Sequence, residues 1–243
     1  MSQQARVDRQ PAYLLHAQPY RETSLLVEVL TPQHGRFTMV ARGARRPRAD
    51  VRGVLLPFQP LTLSWFGKGE VRTLHTAEWN GGVPQLSGLR LVCGFYLNEL
   101  LMKLTARDDA EPRAYAVYDQ AVRALAVTDS LSSVLRRYEL RLLQALGYAG
   151  RFATDQHGVP LDAEASYLCR GLALPERDAG MVEEGRCVRL PGAALLAIEA
   201  DDYVAVSTRR AARSLLRVLL TELLGEAPLA SRELLQAINA IAD

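Results

Sequence analysis

The hydrophobic pattern of this 243-residue chain changes period at Gly81-Gly82, and that change constrains the fold more than any single motif. Before it, segments at 12–18, 23–31, 35–42, 54–66 and 70–79 are rich in Val, Leu, Thr and aromatic residues and are separated by turn formers, the mark of short strands. Two of them alternate openly. Phe37, Met39 and Ala41 oppose Arg36, Thr38, Val40 and Arg42, while Leu61, Leu63 and Trp65 oppose Thr62, Ser64 and Phe66. Successive side chains of a strand point to opposite faces, so one face is core and the other is partly basic. Tyr13, Phe37, Trp65 and Trp79 are assigned to that core, and Gly67-Lys68-Gly69 reads as a tight turn between the last two strands.

After Gly82 the apolar residues fall at helical spacing, and helices are predicted over 88–106, 111–126 and 131–146. Pro112 suits a first turn, Asp129 or Ser130 an N-cap, and Gly147 a C-terminal stop. Leu131, Val134, Leu135, Tyr138, Leu142, Ala145 and Leu146 make a wide apolar stripe, with Arg137 and Arg141 on its outer edge. A further helix over 207–224 sets Arg210, Arg213 and Arg217 against Leu215, Leu216, Leu219, Leu220 and Leu223, and Ser231 caps a last helix ending at Ile241. From 150 to 205, Gly, Pro and acidic residues interrupt every pattern, and no fold follows there. The expected class is α+β: a five-stranded barrel domain over 1–80, then a mainly helical domain over 81–243 with an irregular insert at about 150–205.

Charge is distributed unevenly. The chain as a whole carries a formal charge of +2, yet residues 1–80 hold eleven Lys or Arg against six Asp or Glu, which leaves the remainder at −3. Five of these cations, Arg42, Arg45, Arg46, Arg48 and Arg52, fall between the third and fourth strands. Such clustering reads as a footprint for phosphates, with a solvated arginine-rich loop as the alternative. A general preference for arginine fits the alternative, since Lys68 and Lys103 are the only lysines, but it does not explain why the excess gathers in one third of the chain.

Several classes are disfavoured. His16, His34, His75 and His157 are scattered without a recurring nucleophile or carboxylate partner, and no glycine loop has the G-x-x-x-x-G-K-[ST] order that wraps phosphates. Asp108-Asp109, Glu183-Glu184 and Asp201-Asp202 read as solvated loop charges, so no enzyme and no cofactor is expected. Cys93, Cys169 and Cys187 are too few for a disulfide framework. The first ten residues lack an apolar stretch, and no run approaches the ~20 apolar residues of a membrane helix, so a soluble cytoplasmic protein is expected.

Five strands with an irregular third-to-fourth connection match the OB-fold, whose face and loops commonly hold oligonucleotides. The ordered motifs are more specific: Glu22-Thr23-Ser24-Leu25, Gly35-Arg36, Ala41-Arg42-Gly43-Ala44-Arg45, Pro57-Phe58-Gln59-Pro60-Leu61 and Gly69-Glu70-Val71-Arg72-Thr73-Leu74. Beyond the strands come Phe95-Tyr96-Leu97-Asn98-Glu99-Leu100-Leu101, Leu135-Arg136-Arg137-Tyr138-Glu139-Leu140, Leu146-Gly147-Tyr148 and Ser231-Arg232-Glu233-Leu234-Leu235. Taken in order from about 12 to about 236, they closely resemble the RecO family of bacterial recombination mediators.

That resemblance implies an N-terminal OB-fold and a helical C-terminal domain in a nucleoid-associated protein. It also implies binding to single- and double-stranded DNA, strand annealing, partnership with RecR and with single-stranded DNA-binding protein (SSB), and, indirectly, help in loading RecA onto coated strands. Some RecO-like proteins carry a four-cysteine zinc module in the irregular region; this chain departs from that pattern, having only Cys169, Cys187 and His157 there. The expected DNA contacts are Arg36, Arg42, Arg45, Arg46, Arg48, Arg52, Lys68 and Arg72, with Phe66 either stacking on bases or packing against the second domain. Arg210, Arg213 and Arg217 form either a second phosphate stripe or a solvated helix face. The SSB tail in the resembling system is acidic and ends in a hydrophobic residue with a free carboxylate. Arg136 and Arg137, with Tyr96 and Leu100, are the expected receptor, the alternative being that the arginines pair with Glu99 or Glu139. An RNA-binding OB-fold protein and a protein-binding scaffold remain as other readings.

Overall fold

Strands β1 (Arg6–Tyr20), β2 (Ser24–Thr31), β3 (Gly35–Ala41), β4 (Leu61–Phe66) and β5 (Val71–Trp79) close into a barrel in the order β1-β2-β3-β5-β4. The structure is a computed structural model and describes residues 6–180, 186–225 and 229–231. Strand β1 is long because it serves two neighbours. Its first half pairs with β4, from Arg6↔Phe66 to Ala12↔Leu61, and its second with β2, from Tyr13↔Leu30 to Tyr20↔Ser24. The register shifts between Val7 and Gln10, where Arg9 takes a positive φ of 50° and donates its N–H to Ser64 Oγ at 3.1 Å. Bulges of this kind bend a strand and let a small barrel close. The remaining seam is parallel: β3 meets β5 through Thr38↔Val71, Met39↔Arg72 and Val40↔Thr73.

The alternation read from the sequence is the core. Phe37, Met39, Ala41, Leu61, Leu63 and Trp65 are buried together with Val27, Val29 and Leu14, and the Phe37 and Trp65 rings lie 5.0 Å apart. Each such side chain removed from water contributes about 1.5–3 kcal/mol. The fourth strand is shorter than expected, beginning at Leu61 rather than at 54. A five-residue helix, α1 (Asp50–Val54), precedes it, and Pro57 and Pro60, which lack an N–H for a ladder, hold the link out of the sheet. Val51, Val54 and Leu55 nonetheless pack on the barrel core, which is why their apolar spacing imitated a strand.

Helices α2 (Gly88–Leu104) and α3 (Pro112–Val127) belong with the barrel, in a compact unit that runs through Val127 and takes in the described residues from Ala230. Phe58, at a φ of 63°, is buried against Gly94 of α2, where a Cβ would lie 2.9 Å from its ring, so only glycine admits this approach. Buried Asn98 donates to Leu15 O at 2.7 Å and accepts from Tyr118 Oη at 2.5 Å, joining β1, α2 and α3 through one amide. The next residue of α2, Glu99, accepts from the N–H groups of Ala230 and Ser231 at 3.0 and 2.9 Å and from Ser231 Oγ at 2.5 Å. The helix expected to continue from Ser231 to Ile241 lies outside the described residues.

The second unit, Thr128–Leu229, is built on α4 (Leu131–Ala145) and α6 (Val206–Leu224). Helix α4 buries Val134, Leu135, Tyr138, Leu142 and Leu143 and ends at Gly147, with Tyr148 N–H bonded to Leu143 O at 2.8 Å and Gly147 N–H to Gln144 O at 3.2 Å. This paired closure satisfies the last carbonyls of the helix. The stretch that gave no sequence pattern forms a three-stranded antiparallel sheet, β6 (Ser166–Arg170) between β7 (Glu176–Arg177) and β8 (Cys187–Pro191), followed by α5 (Gly192–Glu199). Arg141, expected on an outer edge, ties the unit instead: Nη2 donates to Glu199 O at 2.7 Å and approaches Asp201 Oδ2 at 3.0 Å.

Burial works to raise the Glu99 carboxyl, but its bonds from Ser231 and Ala230 and the charge of Lys103 outweigh burial and hold it below the ordinary carboxylate range. A depressed folded value means that its stabilisation is present above the ordinary carboxylate pKa and fades as pH falls through the folded one. Glu99→Gln should therefore cost about 1–3 kcal/mol in urea unfolding at pH 7, and the deficit should shrink toward pH 3.

Candidate nucleic-acid interface

The arginine segment leaves β3 at Ala41 and is tied down along its length. Ala44 is buried in the barrel core, Arg45 N–H donates to Thr23 O at 2.9 Å, and Arg45 Nη1 reaches Arg21 O at 3.3 Å and Glu22 O at 3.4 Å. Two turns follow, Arg46 N–H to Gly43 O at 3.0 Å and Ala49 N–H to Arg46 O at 3.2 Å, before α1 seats Val51 and Val54 on the core. The backbone is thus fixed while Arg42, Arg45, Arg46, Arg48 and Arg52 are all exposed. None of the five forms an ion pair with a described carboxylate. Cations without an internal counter-charge keep their full attraction for a polyanion. Lys68 is exposed at the β4–β5 turn.

Phe66 is half-buried on the barrel exterior. Its ring lies 4.9 Å from that of His75, with the Arg6 guanidinium carbon 5.7 Å from its centroid. The sequence reading named Phe66 alone; Arg6 and His75 join it because β1 and β5 flank β4 on either side.

Two expected phosphate contacts are corrected by the structure. Arg36 does lie on the outer face of β3, but its guanidinium pairs with Glu28 and donates to Thr105 O at 2.8 Å and Thr105 Oγ1 at 3.3 Å, leaving the side chain 12% exposed. Glu28 also accepts from Thr38 Oγ1 at 2.8 Å and from Arg107 Nε and Nη2, each at 3.2 Å. Burial raises its carboxyl, but these bonds and the Arg36 charge prevail and hold it below its ordinary value. Arg72 points inward instead. Its guanidinium carbon sits 3.7 Å above the Phe37 ring and 6.0 Å from Trp65, with Nη2 paired to Asp108. Neither guanidinium is free for a backbone phosphate. A third correction concerns Trp79, assigned to the core but 60% exposed.

In the second unit, Arg210, Arg213 and Arg217 line the exposed side of α6, opposite Ala212, Leu215, Leu216, Leu219 and Leu220, and none pairs with a described carboxylate. Arg136 is held by Glu139 at 2.7 Å, with side-chain exposures of 11% and 0%, so for it the ion-pair alternative is the one adopted. Arg137 is half exposed, paired with Asp201 Oδ1 at 3.4 Å, bonding Asp201 O at 3.0 Å and lying 5.7 Å from the Tyr203 ring. Tyr96 and Leu100 belong to the first unit and are buried, offering no open surface to a tail.

Zinc does not fit the residues present. Cys169 is buried on β6, where burial pushes its thiol up to about 12. Cys187 on β8 pairs in register with Arg170, not with Cys169. Among the described residues no group of three or more His, Cys, Asp or Glu is placed to hold a metal ion. Nor is any helix among them long and apolar enough to cross a membrane.

The Glu28 cluster yields a direct test. Glu28→Gln removes the counter-charge of Arg36 and should cost about 3–5 kcal/mol in chemical denaturation, the usual loss when one partner of a buried ion pair is taken away.

Two family models divide the chain: Recombination protein O N terminal matches residues 3–82, which contain the barrel, and Recombination protein O C terminal matches 85–233. The DNA repair protein RecO of Chromobacterium violaceum is 66% identical over the full length of both chains, and that of Laribacter hongkongensis is 48% identical over the full length of both. The DNA repair protein RecO of Azoarcus sp. strain BH72 is 46% identical, over 98% of this chain and 99% of its own. With both halves matched and the five-stranded closed barrel in its N-terminal half, the chain belongs to the RecO family, and that barrel is the family's OB-fold.

Proposed function

We propose that this protein is a DNA repair and recombination mediator that binds single- and double-stranded DNA, anneals complementary strands and helps load RecA onto SSB-coated single strands. The observation that carries the reading is the set of five exposed arginines without counter-charges among the described residues, on a backbone pinned to the barrel. Family membership and relatives named DNA repair protein RecO support it.

Annealing asks no bond chemistry of the protein. It requires cations that screen two phosphate backbones from one another while leaving base edges free to pair. Arginine suits this task because its planar, permanently charged guanidinium grips phosphate oxygens in two-pronged fashion. The α6 stripe of Arg210, Arg213 and Arg217 supplies a second set of such groups on a rigid helix. Lys68 at its turn and Phe66 beside Arg6 and His75 add a charge and a stacking ring on the barrel. Phosphate contacts carry no sequence information, so little sequence preference is expected.

If about five phosphates on a single strand are met, the log-log slope of affinity against salt should be roughly −3.5. The triple variant Arg45→Glu, Arg46→Glu, Arg48→Glu should flatten that slope and abolish annealing while the unfolding midpoint stays near wild type. Unchanged annealing by this variant at moderate salt would remove the arginine segment from the interface, and clear preference for RNA over equal-length single-stranded DNA would overturn the DNA reading.

The partners follow from the family resemblance: RecR, and the acidic tail of SSB with its terminal carboxylate. Arg137, half exposed on α4, is the cation offered to that tail. Buried Tyr96 and Leu100 drop out as direct contacts, and Arg136, bound to Glu139, enters only as support. Arg137→Glu should slow annealing on SSB-coated strands several-fold and leave annealing of naked strands intact; equal loss on both would reassign Arg137 to DNA or to the fold.

A further inference from the structure

We infer that Trp79 is a base-stacking platform for single-stranded nucleic acid, set at the end of the barrel that the arginine segment covers. The inference rests on the DNA-binding reading above and adds a contact that phosphate neutralisation does not supply.

The chain has two tryptophans, and the fold treats them oppositely: Trp65 is sealed in the barrel at 1% exposure, whereas Trp79 is 60% exposed. Register explains the difference. Trp79 pairs with buried Leu61 and so shares the inward face of the sheet, but it is the last residue of β5 and its ring overhangs the final layer of the core. An exposed indole at a strand end would ordinarily swing through several rotamers. This one is held, because its Nε1–H donates to Oε1 of Gln59 at 2.9 Å, and Gln59 is itself only 3% exposed. The backbone beneath is fixed as well, by Asn80 N–H to Pro60 O at 3.0 Å. A buried amide thus spends its acceptor on orienting a ring that contributes little to the core.

The arginine segment reaches the strand that carries the ring. Helix α1, which carries Arg52, packs against β5, and Val51 and Val54 of that helix share their core cluster with Ala77, two residues before Trp79. The residues flanking Trp79 in the strand pair are polar: exposed Glu78, directed to the other face and paired with Arg9 at 3.0 Å, then Asn80, bonded to Thr62 at 3.0 Å. One oriented, exposed planar ring on a barrel that also carries exposed arginines suits an unstacked base and its phosphate. A protein partner would ask for a broader continuous apolar patch.

The test compares the full-length protein and its Trp79→Ala and Trp79→Phe variants on labelled oligo-dT and on an equally long strand of abasic sites, by anisotropy at one salt concentration. The two strands carry the same phosphates and differ only in bases. Wild type should bind oligo-dT roughly ten-fold more tightly than the abasic strand, with Trp79 emission quenched by oligo-dT alone. Trp79→Ala should lose that preference while holding its affinity for the abasic strand, and Trp79→Phe should keep most of it. No base preference in wild type, a preference that survives Trp79→Ala, or equal weakening on both strands would each overturn the inference. Failure of wild type to bind either strand would instead strike the DNA-binding reading itself.

Discussion

The parallel seam between β3 and β5 is short, three residue pairs from Thr38↔Val71 to Val40↔Thr73, and most of the first unit depends on it. Without it β3 and β5 would both be open edges, each a template for pairing with another chain. With it, the chain leaving β3 at Ala41 must cross the end of the barrel to reach β4 beyond β5. The crossing is made by the arginine segment, whose apolar members, Ala44, Val51, Val54 and Leu55, fill the barrel end while its charged members face outward. Arg72 sits within the seam and stacks on Phe37, so a cation contributes to the closure through its planar face as well as its charge.

The arginines thereby divide into two populations. Arg36, Arg72, Arg136 and Arg141 are sunk among carboxylates at Glu28, Asp108, Glu139, Glu199 and Asp201. Two charges taken from water gain little net stability even when well paired, but losing one partner is expensive, so these pairs fix geometry more than they strengthen the fold. The exposed arginines are worth about 1 kcal/mol each in direct Coulomb attraction at contact distance in water. Their effect on a polyanion comes from number and from released counterions, which is why a cluster matters where a lone residue would not.

Much of this was legible in the sequence. Alternation in β3 and β4 gave the core residues correctly, and the switch of period at Gly81-Gly82 placed the end of the strands and the start of the helices. Faces were read more reliably than fates. Arg36 stands on the outer face as alternation requires, but Thr105 and Arg107, some seventy positions away in sequence, cover it, and no local pattern announces a distant cover. Trp79 was misassigned for the converse reason: its face is the inward one, and only its position at the strand's end leaves it in solvent. The 150–205 stretch was opaque because its strands are two to five residues long, too short for a period to show, and because bonds to Glu199 from Phe152, Arg151 and Gln144 supply order that hydrophobic spacing does not encode.

The bonds from Glu99 to Ala230 and Ser231 join positions 131 and 132 residues apart. The chain begins one compact unit, builds Thr128–Leu229 as another, and then returns to the first. On the ribosome, α2 emerges and can pack long before the segment that Glu99 will receive has been synthesised. The clasp therefore forms only after Thr128–Leu229 has been made. Because the entropy of closing a loop grows only with the logarithm of its length, a return over so many residues costs about 3 kcal/mol more than a four-residue turn would, a difference of the same order as the bonds that Glu99 accepts.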